Sequence, residues 1–162
     1  MLFRSIGDLK VEETFTVAFI ADGSTGFAAR VRSNNLGFLS DKRYSIERPG
    51  GPREYRVYFA GDSMTGTTTM NFQWVDLVED LLNANDELRR ASGGKVFRTY
   101  NGGTPGADFS YFWNYYDRAG RKLDPDLIVV NYIESDFPRV GKSGHDAHTA
   151  DEGQMIRQDR KS

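Results

Sequence analysis

The sequence predicts an α/β fold, a parallel sheet with helices packed against it, preceded by a β-hairpin. Two observations predict the sheet. Three short apolar stretches, "YRVYFA" (55–60), "KVFRTY" (95–100) and "DLIVVNY" (126–132), read as strands. The intervals between them carry apolar residues at helical spacing and are far longer than hairpin loops, as crossovers between parallel strands must be. The third observation is "TFTVAFIADGSTGFAARVRS" (14–33), two β-rich segments around Asp22-Gly23-Ser24 that read as a hairpin, with Gly26 as a second turn signal.

Each element has its own justification. The stretch "SNNLGFLSDKRYSIERPGGPRE" (33–54) lacks a sustained period and ends in Pro49-Gly50-Gly51-Pro52, so a surface loop leading into the sheet is expected. After the first strand, Met70, Trp74, Leu77, Val78, Leu81 and Leu82 fall on one face of a helix, with Asp76, Glu79 and Asp80 on the other. Gly93-Gly94 ends that region. After the second strand, Phe109, Phe112, Trp113 and Tyr116 repeat at i, i+3, i+4 and i+7, and Asp108 stands near the helix start. Most of these aromatics are expected in the core. Asp124-Pro125 breaks the pattern before the third strand.

Composition narrows the function classes. A chain of 162 residues with 38% hydrophobic, 13% aromatic and 27% charged residues is globular in character and sized for one domain. A formal charge of −2, with both signs interspersed, offers no basic face, so nucleic acid is not an expected partner. There is no cysteine, which excludes disulfides, thiolate metal sites and cysteine nucleophiles. The longest apolar run, Phe15–Ala21, is far short of a membrane span. Neither cellular address nor oligomeric state is legible.

In a parallel sheet, ligands gather beyond the carboxyl ends of the strands. Three loops belong there: Gly61 to Gly66, Asn101 to Gly106, and Ile133 to Phe137. The first, "AGDSMTG" (60–66), admits three uses. Gly61 and Gly66 have P-loop spacing, but Thr67 occupies the place of the lysine that motif requires. A purely structural turn would use Gly61 for the bend and Asp62 or Ser63 as a helix cap. A catalytic turn would place Ser63 past a strand and at a helix mouth, where backbone N–H groups favour developing negative charge.

The residues resemble the SGNH, or GDSL, hydrolase family. "AGDSMTG" is similar to its first block, "NGGTPG" (101–106) to its second, and "SNNLGFLSD" (33–41) to the lead-in of many bacterial members. The similarity spans about Asn34 to Phe137. It implies a three-layer α/β/α sandwich with a flavodoxin-like sheet, here truncated, and ester hydrolysis through an acyl-enzyme without metal or cofactor. Ser63 would be the nucleophile, with its own N–H and that of Gly106 as two arms of the oxyanion hole. In "YIESDF" (132–137), Ser135 stands where the family has the asparagine that forms the third arm. Asp62, Asn101 and Asp136 would support the site. Ser135 is a departure: a shorter side chain with a rotatable donor, at a position where losing one donor commonly costs ~10²–10³ in turnover.

The family's Asp-x-x-His base block has no counterpart here. His145 and His148, in "KSGHDAHTADEG" (142–153), lack an aspartate three residues earlier, and with Asp146 and Asp151 they form too loose a pattern for a metal site. They are expected in a solvated loop. The ends, residues 1–5 and 159–162, resemble translated adapter sequence, so the chain is expected to be a piece of a longer protein, with the base block in the missing part. Expected organisation is a hairpin and lead-in over 6–54 and a partial hydrolase domain over 55–158. The expected substrate is a small-molecule, carbohydrate or lipid ester. Competing readings are a non-catalytic glycan-binding module of the same fold, and a polysaccharide O-acyltransferase.

Overall fold

A computed structural model describes Gly7, residues 9–21 and residues 24–133. Ser135, Asp136, His145 and His148 lie outside the described residues. Two strands, β1 (Thr14–Ala21) and β2 (Ser24–Arg32), form an antiparallel hairpin whose register shifts between Phe19 and Ile20. A three-stranded parallel sheet follows, built from β3 (Glu54–Gly61), β4 (Val96–Gly103) and β5 (Leu127–Val130) in the order β4-β3-β5. Between β3 and β4 run α1 (Ser63–Gly66), α2 (Trp74–Ala84) and α3 (Asp86–Ala91); α4 (Phe109–Arg118) links β4 to β5. The mixed α/β class, the parallel sheet and the leading hairpin agree with the sequence.

Alternation along β3 divides the core, because successive side chains point to opposite faces. Val57 and Phe59 pack with Val75, Trp74 and Val78 of α2. Tyr58 and Ala60 pack with Phe112 and Tyr115 of α4, together with Leu36, Phe38 and Tyr44 of the lead-in. The lead-in is therefore not a surface loop. Asn34 organises it: its Oδ1 accepts from the N–H groups of Leu36 and Phe38, and its Nδ2 donates to the Lys42 carbonyl. A side chain that satisfies the turn from inside lets an aperiodic segment enter the core.

Both helices are rotated relative to expectation. In α2, Leu77 and Leu81 are exposed, whereas Asp76 and Glu79 are buried. Those carboxylates have partners that repay their burial. Asp76 accepts from Ser40 Oγ at 2.7 Å and from Asp41 N–H at 2.8 Å; Glu79 accepts from Thr99 N–H at 2.8 Å and is paired with Lys42 and Arg98. In α4 the buried residues are Phe112 and Tyr115, with Ala119 just past its end, while Phe109 and Trp113 face outward. Asn85 breaks the expected single helix by capping α3 through Leu88 N–H, and β4 runs on through Gly103.

The two edges of the sheet differ. On β4, the outward N–H groups of Phe97, Thr99 and Asn101 donate to Asn83, Glu79 and Tyr44 side chains, so that edge is closed to further pairing. On β5, Leu127, Ile128 and Val130 are exposed despite the apolar run that reads as an interior strand.

Arg56 ties the layers together from inside. Its side chain is fully buried, donates to Glu54 Oε1 at 3.0 Å and to the carbonyls of Ile46, Glu47 and Leu123, and stacks over the Tyr100 ring. Removing it strands a buried carboxylate and three carbonyls. Arg56→Met is expected to lower unfolding free energy by about 3–5 kcal/mol, and adding Glu54→Gln should recover part of that. Denaturant titration of the two variants against the parent chain checks both outcomes.

Candidate functional site

The parallel register Gly61↔Gly103 ends β3 and β4 at the same level, and β5 ends beside them with Ala60↔Val130. The turns that follow therefore leave from one edge of the sheet. The GDS turn belongs to the first of them and "TPG" to the second; only the end of the third, Asn131 to Ile133, is described.

Glycines let the first two turns meet. A Cβ on Gly103 would stand 2.1 Å from Gly66 N and 2.5 Å from Thr65 C, so α1 and the end of β4 touch backbone to backbone. A Cβ on Gly61 would stand 2.1 Å from Thr65 Oγ1. Thr104 N–H donates to the Gly61 carbonyl at 2.9 Å, adding a direct bond between the strand end and the second loop.

Ser63 is the first residue of α1 and half-buried. Asp62 is its N-cap, with Oδ1 accepting from Met64 N–H at 2.9 Å, so Asp62 holds the turn in shape. Neither Ser63 N–H nor Ser63 Oγ has a hydrogen-bond partner among the described residues. Thr67, at the end of α1, has φ +47, a left-handed conformation that β-branched residues rarely adopt. Its hydroxyl donates back to the Thr65 carbonyl, and Gln73 Nε2 donates to the Thr67 carbonyl. Thr65 is fully buried, and its Oγ1 has no partner among the described residues.

The second loop is anchored below the surface. Asn101 is buried and faces the protein, not a cavity: its Oδ1 accepts from Gly103 N–H at 2.9 Å and its Nδ2 donates to Gln73 Oε1 at 3.0 Å. Its own N–H donates to the Tyr44 hydroxyl at 2.8 Å. Burial pushes the Tyr44 phenol well above its ordinary pKa, with the Asp76 charge adding to the shift, so it stays neutral as a partner. Burial likewise raises the Asp76 carboxyl against the opposing effect of its Ser40 and Asp41 hydrogen bonds. Gly106 has φ +71, open to glycine at little cost, and is half-exposed; its N–H has no acceptor among the described residues.

Of the residues singled out from sequence, Ser63, Asp62, Asn101 and Gly106 thus sit on or beneath one edge of the sheet. Ser135 and Asp136 fall outside the described residues. Tyr44, Gln73 and Thr65 escaped the sequence reading. The run of threonines after Ser63, poor helix formers at the start of a helix, was the one signal that tertiary contacts hold this turn. Among the described residues no group of three or more His, Asp or Glu is arranged to hold a metal ion, and no helix is long and apolar enough to cross a membrane.

No family model, no curated protein and no solved structure matches this chain.

The geometry makes Gly103 the test of how the two turns are joined. Gly103→Ala drives a methyl into the backbone of α1, which cannot yield as a flexible side chain would. The expected cost is about 1–3 kcal/mol, read as a lower urea midpoint at unchanged slope.

Proposed function

We propose that this chain carries the nucleophile and part of the oxyanion hole of an SGNH-type serine ester hydrolase. The observation that carries the reading is the common edge. Ser63 and Gly106 follow paired strand ends, their turns are joined through Gly66 and Gly103, and both backbone N–H groups lack an acceptor among the described residues. Unused amides beside a half-buried serine are what a developing oxyanion requires.

In this chemistry Ser63 Oγ attacks the ester carbonyl carbon, and the carbonyl oxygen gains charge facing the Ser63 and Gly106 amides. Collapse breaks the bond to the alcohol, which departs with a proton, and water then cleaves the acyl-serine. Asp62 fixes the turn, and Asn101 with Tyr44 and Gln73 fixes the second loop from below. Ser135, proposed for the third arm, lies outside the described residues, and no residue of this chain is assigned as the general base. The reading also assigns the finer architecture: the three strands form the core of a three-layer, flavodoxin-like sandwich. Helices on opposite faces of β3 support it, as does the apolar strand β5, which has no further partner strand among the described residues and suits an interior strand of a wider sheet. The substrate would be an acyl ester on a small molecule, carbohydrate or lipid.

Hydrolysis of a chromogenic short-chain ester by a longer chain that carries an Asp-x-x-His block is the direct test. Ser63→Ala is expected to reduce the rate by at least ~10³-fold while leaving the folded state intact by circular dichroism. A rate that is the same with and without the hydroxyl removes Ser63 from the mechanism.

A further inference from the structure

The hairpin carries a second candidate site, separate from the Ser63 turn. Cross-strand pairing sets Thr14 opposite Arg32 and Thr16 opposite Arg30, so these four side chains tile one face of the hairpin. The opposite face, through Val17 and Val31, is buried against Leu39. The tiled face is not flat. With Asp41 on the lead-in and Asn71 after α1 it lines a concavity of about 620 Å³, within the range of small-ligand sites. Asn71 Oδ1 accepts from Arg30 N–H at 2.7 Å, which pins that part of the lining to the hairpin.

Two arginines on this face take no part in an ion pair among the described residues, and neither does Arg53. Arg43, Arg48, Arg56, Arg89, Arg98 and Arg121 are each ion-paired. Arg30 and Arg32 have no side-chain partner among the described residues, although the whole chain has more acids than bases. Two residues apart on a strand, they stand about 6.8 Å from each other. Guanidinium forks match carboxylates in a bidentate manner. The two threonine hydroxyls and the Asn71 amide provide further polar groups that suit a hydroxyl-bearing ligand. Asp41 adds one negative charge to the lining, so the anionic groups of a ligand are best accommodated toward the arginines. Among the described residues no aromatic side chain lines the concavity, so they offer no stacking platform of the kind a single-stranded nucleic acid site uses.

We propose that this face binds a ligand with paired carboxylates, and that the ligand is an acidic, uronate-type polysaccharide whose hydroxyls meet Thr14, Thr16 and Asn71. The proposal does not depend on the hydrolase reading, since it concerns binding alone.

Isothermal titration of the full chain with polygalacturonate, with citrate and with neutral dextran tests it. Expected are binding to polygalacturonate that weakens with added salt, and none to dextran. Arg30→Gln with Arg32→Gln should weaken carboxylate binding roughly tenfold or more. Arg30→Lys with Arg32→Lys, which keeps the charge and loses the fork, should weaken it by a smaller factor. Both pairs are exposed, and circular dichroism checks that they fold as the parent does. Citrate binding as tightly as the polymer would retain the carboxylate site and overturn the polysaccharide as its ligand. Equal binding to dextran, no binding to any carboxylate, or full affinity in the glutamine variant would overturn the site itself.

Discussion

The approach of two backbones, Gly66 in α1 and Gly103 at the end of β4, is the constraint on which the rest of the candidate site depends. A side chain at Gly103 would meet main-chain atoms, so the contact exists only because that position carries none. It fixes the turn after β3 against the loop after β4 at the distance the chain itself sets. The parallel register brings both turns to one edge; the glycine contact converts that shared edge into a defined juxtaposition. Asp62 then shapes the first turn and Asn101 the second, each by an Asx-type bond to a backbone N–H two residues ahead. The positive φ of Thr67 is tolerated within this frame because Gln73 engages its carbonyl while also accepting from Asn101.

Beneath the edge, polar groups do work usually left to apolar packing. The lead-in enters the core with Asn34 satisfying its turn, and Ser40, Asp41 and Lys42 engage buried Asp76 and Glu79 on α2. Glu79 also receives the Thr99 N–H, so one carboxylate joins the lead-in, the helix and the outer strand. Such a network is specific because each member left without its partner would be a buried polar group at a cost. Glu79, with Asn83 and Tyr44, also closes the β4 edge, and among the described residues no strand pairs with the outer edge of β5.

Strand stretches, turn positions and the hairpin were legible in the sequence because they depend on local signals: apolar runs, Gly and Pro punctuation, and segment length. Helix orientation was not. Asp76 and Glu79 are buried because Ser40, Lys42 and Thr99 meet them, and those partners lie about twenty to forty positions away, beyond any periodicity. Phe112 and Tyr115 of α4, not Phe109 and Trp113, face the sheet, a rotation that the sequence cannot specify when aromatic residues fall on every side of the helix. At the candidate site, Ser63 and Gly106 carried letter patterns, whereas Tyr44 and Gln73 are known only from where the fold puts them.

The central claim is that the Ser63 hydroxyl and the Gly106 amide face one common space, as the proposed chemistry needs. The most direct measurement is amide NMR of the ¹⁵N-labelled chain before and after covalent modification of Ser63 by a phosphonate ester, whose oxygen mimics the oxyanion. The account predicts that the Ser63 and Gly106 N–H resonances both move downfield and exchange more slowly with solvent. A modified Ser63 with the Gly106 resonance and exchange rate unchanged would contradict it.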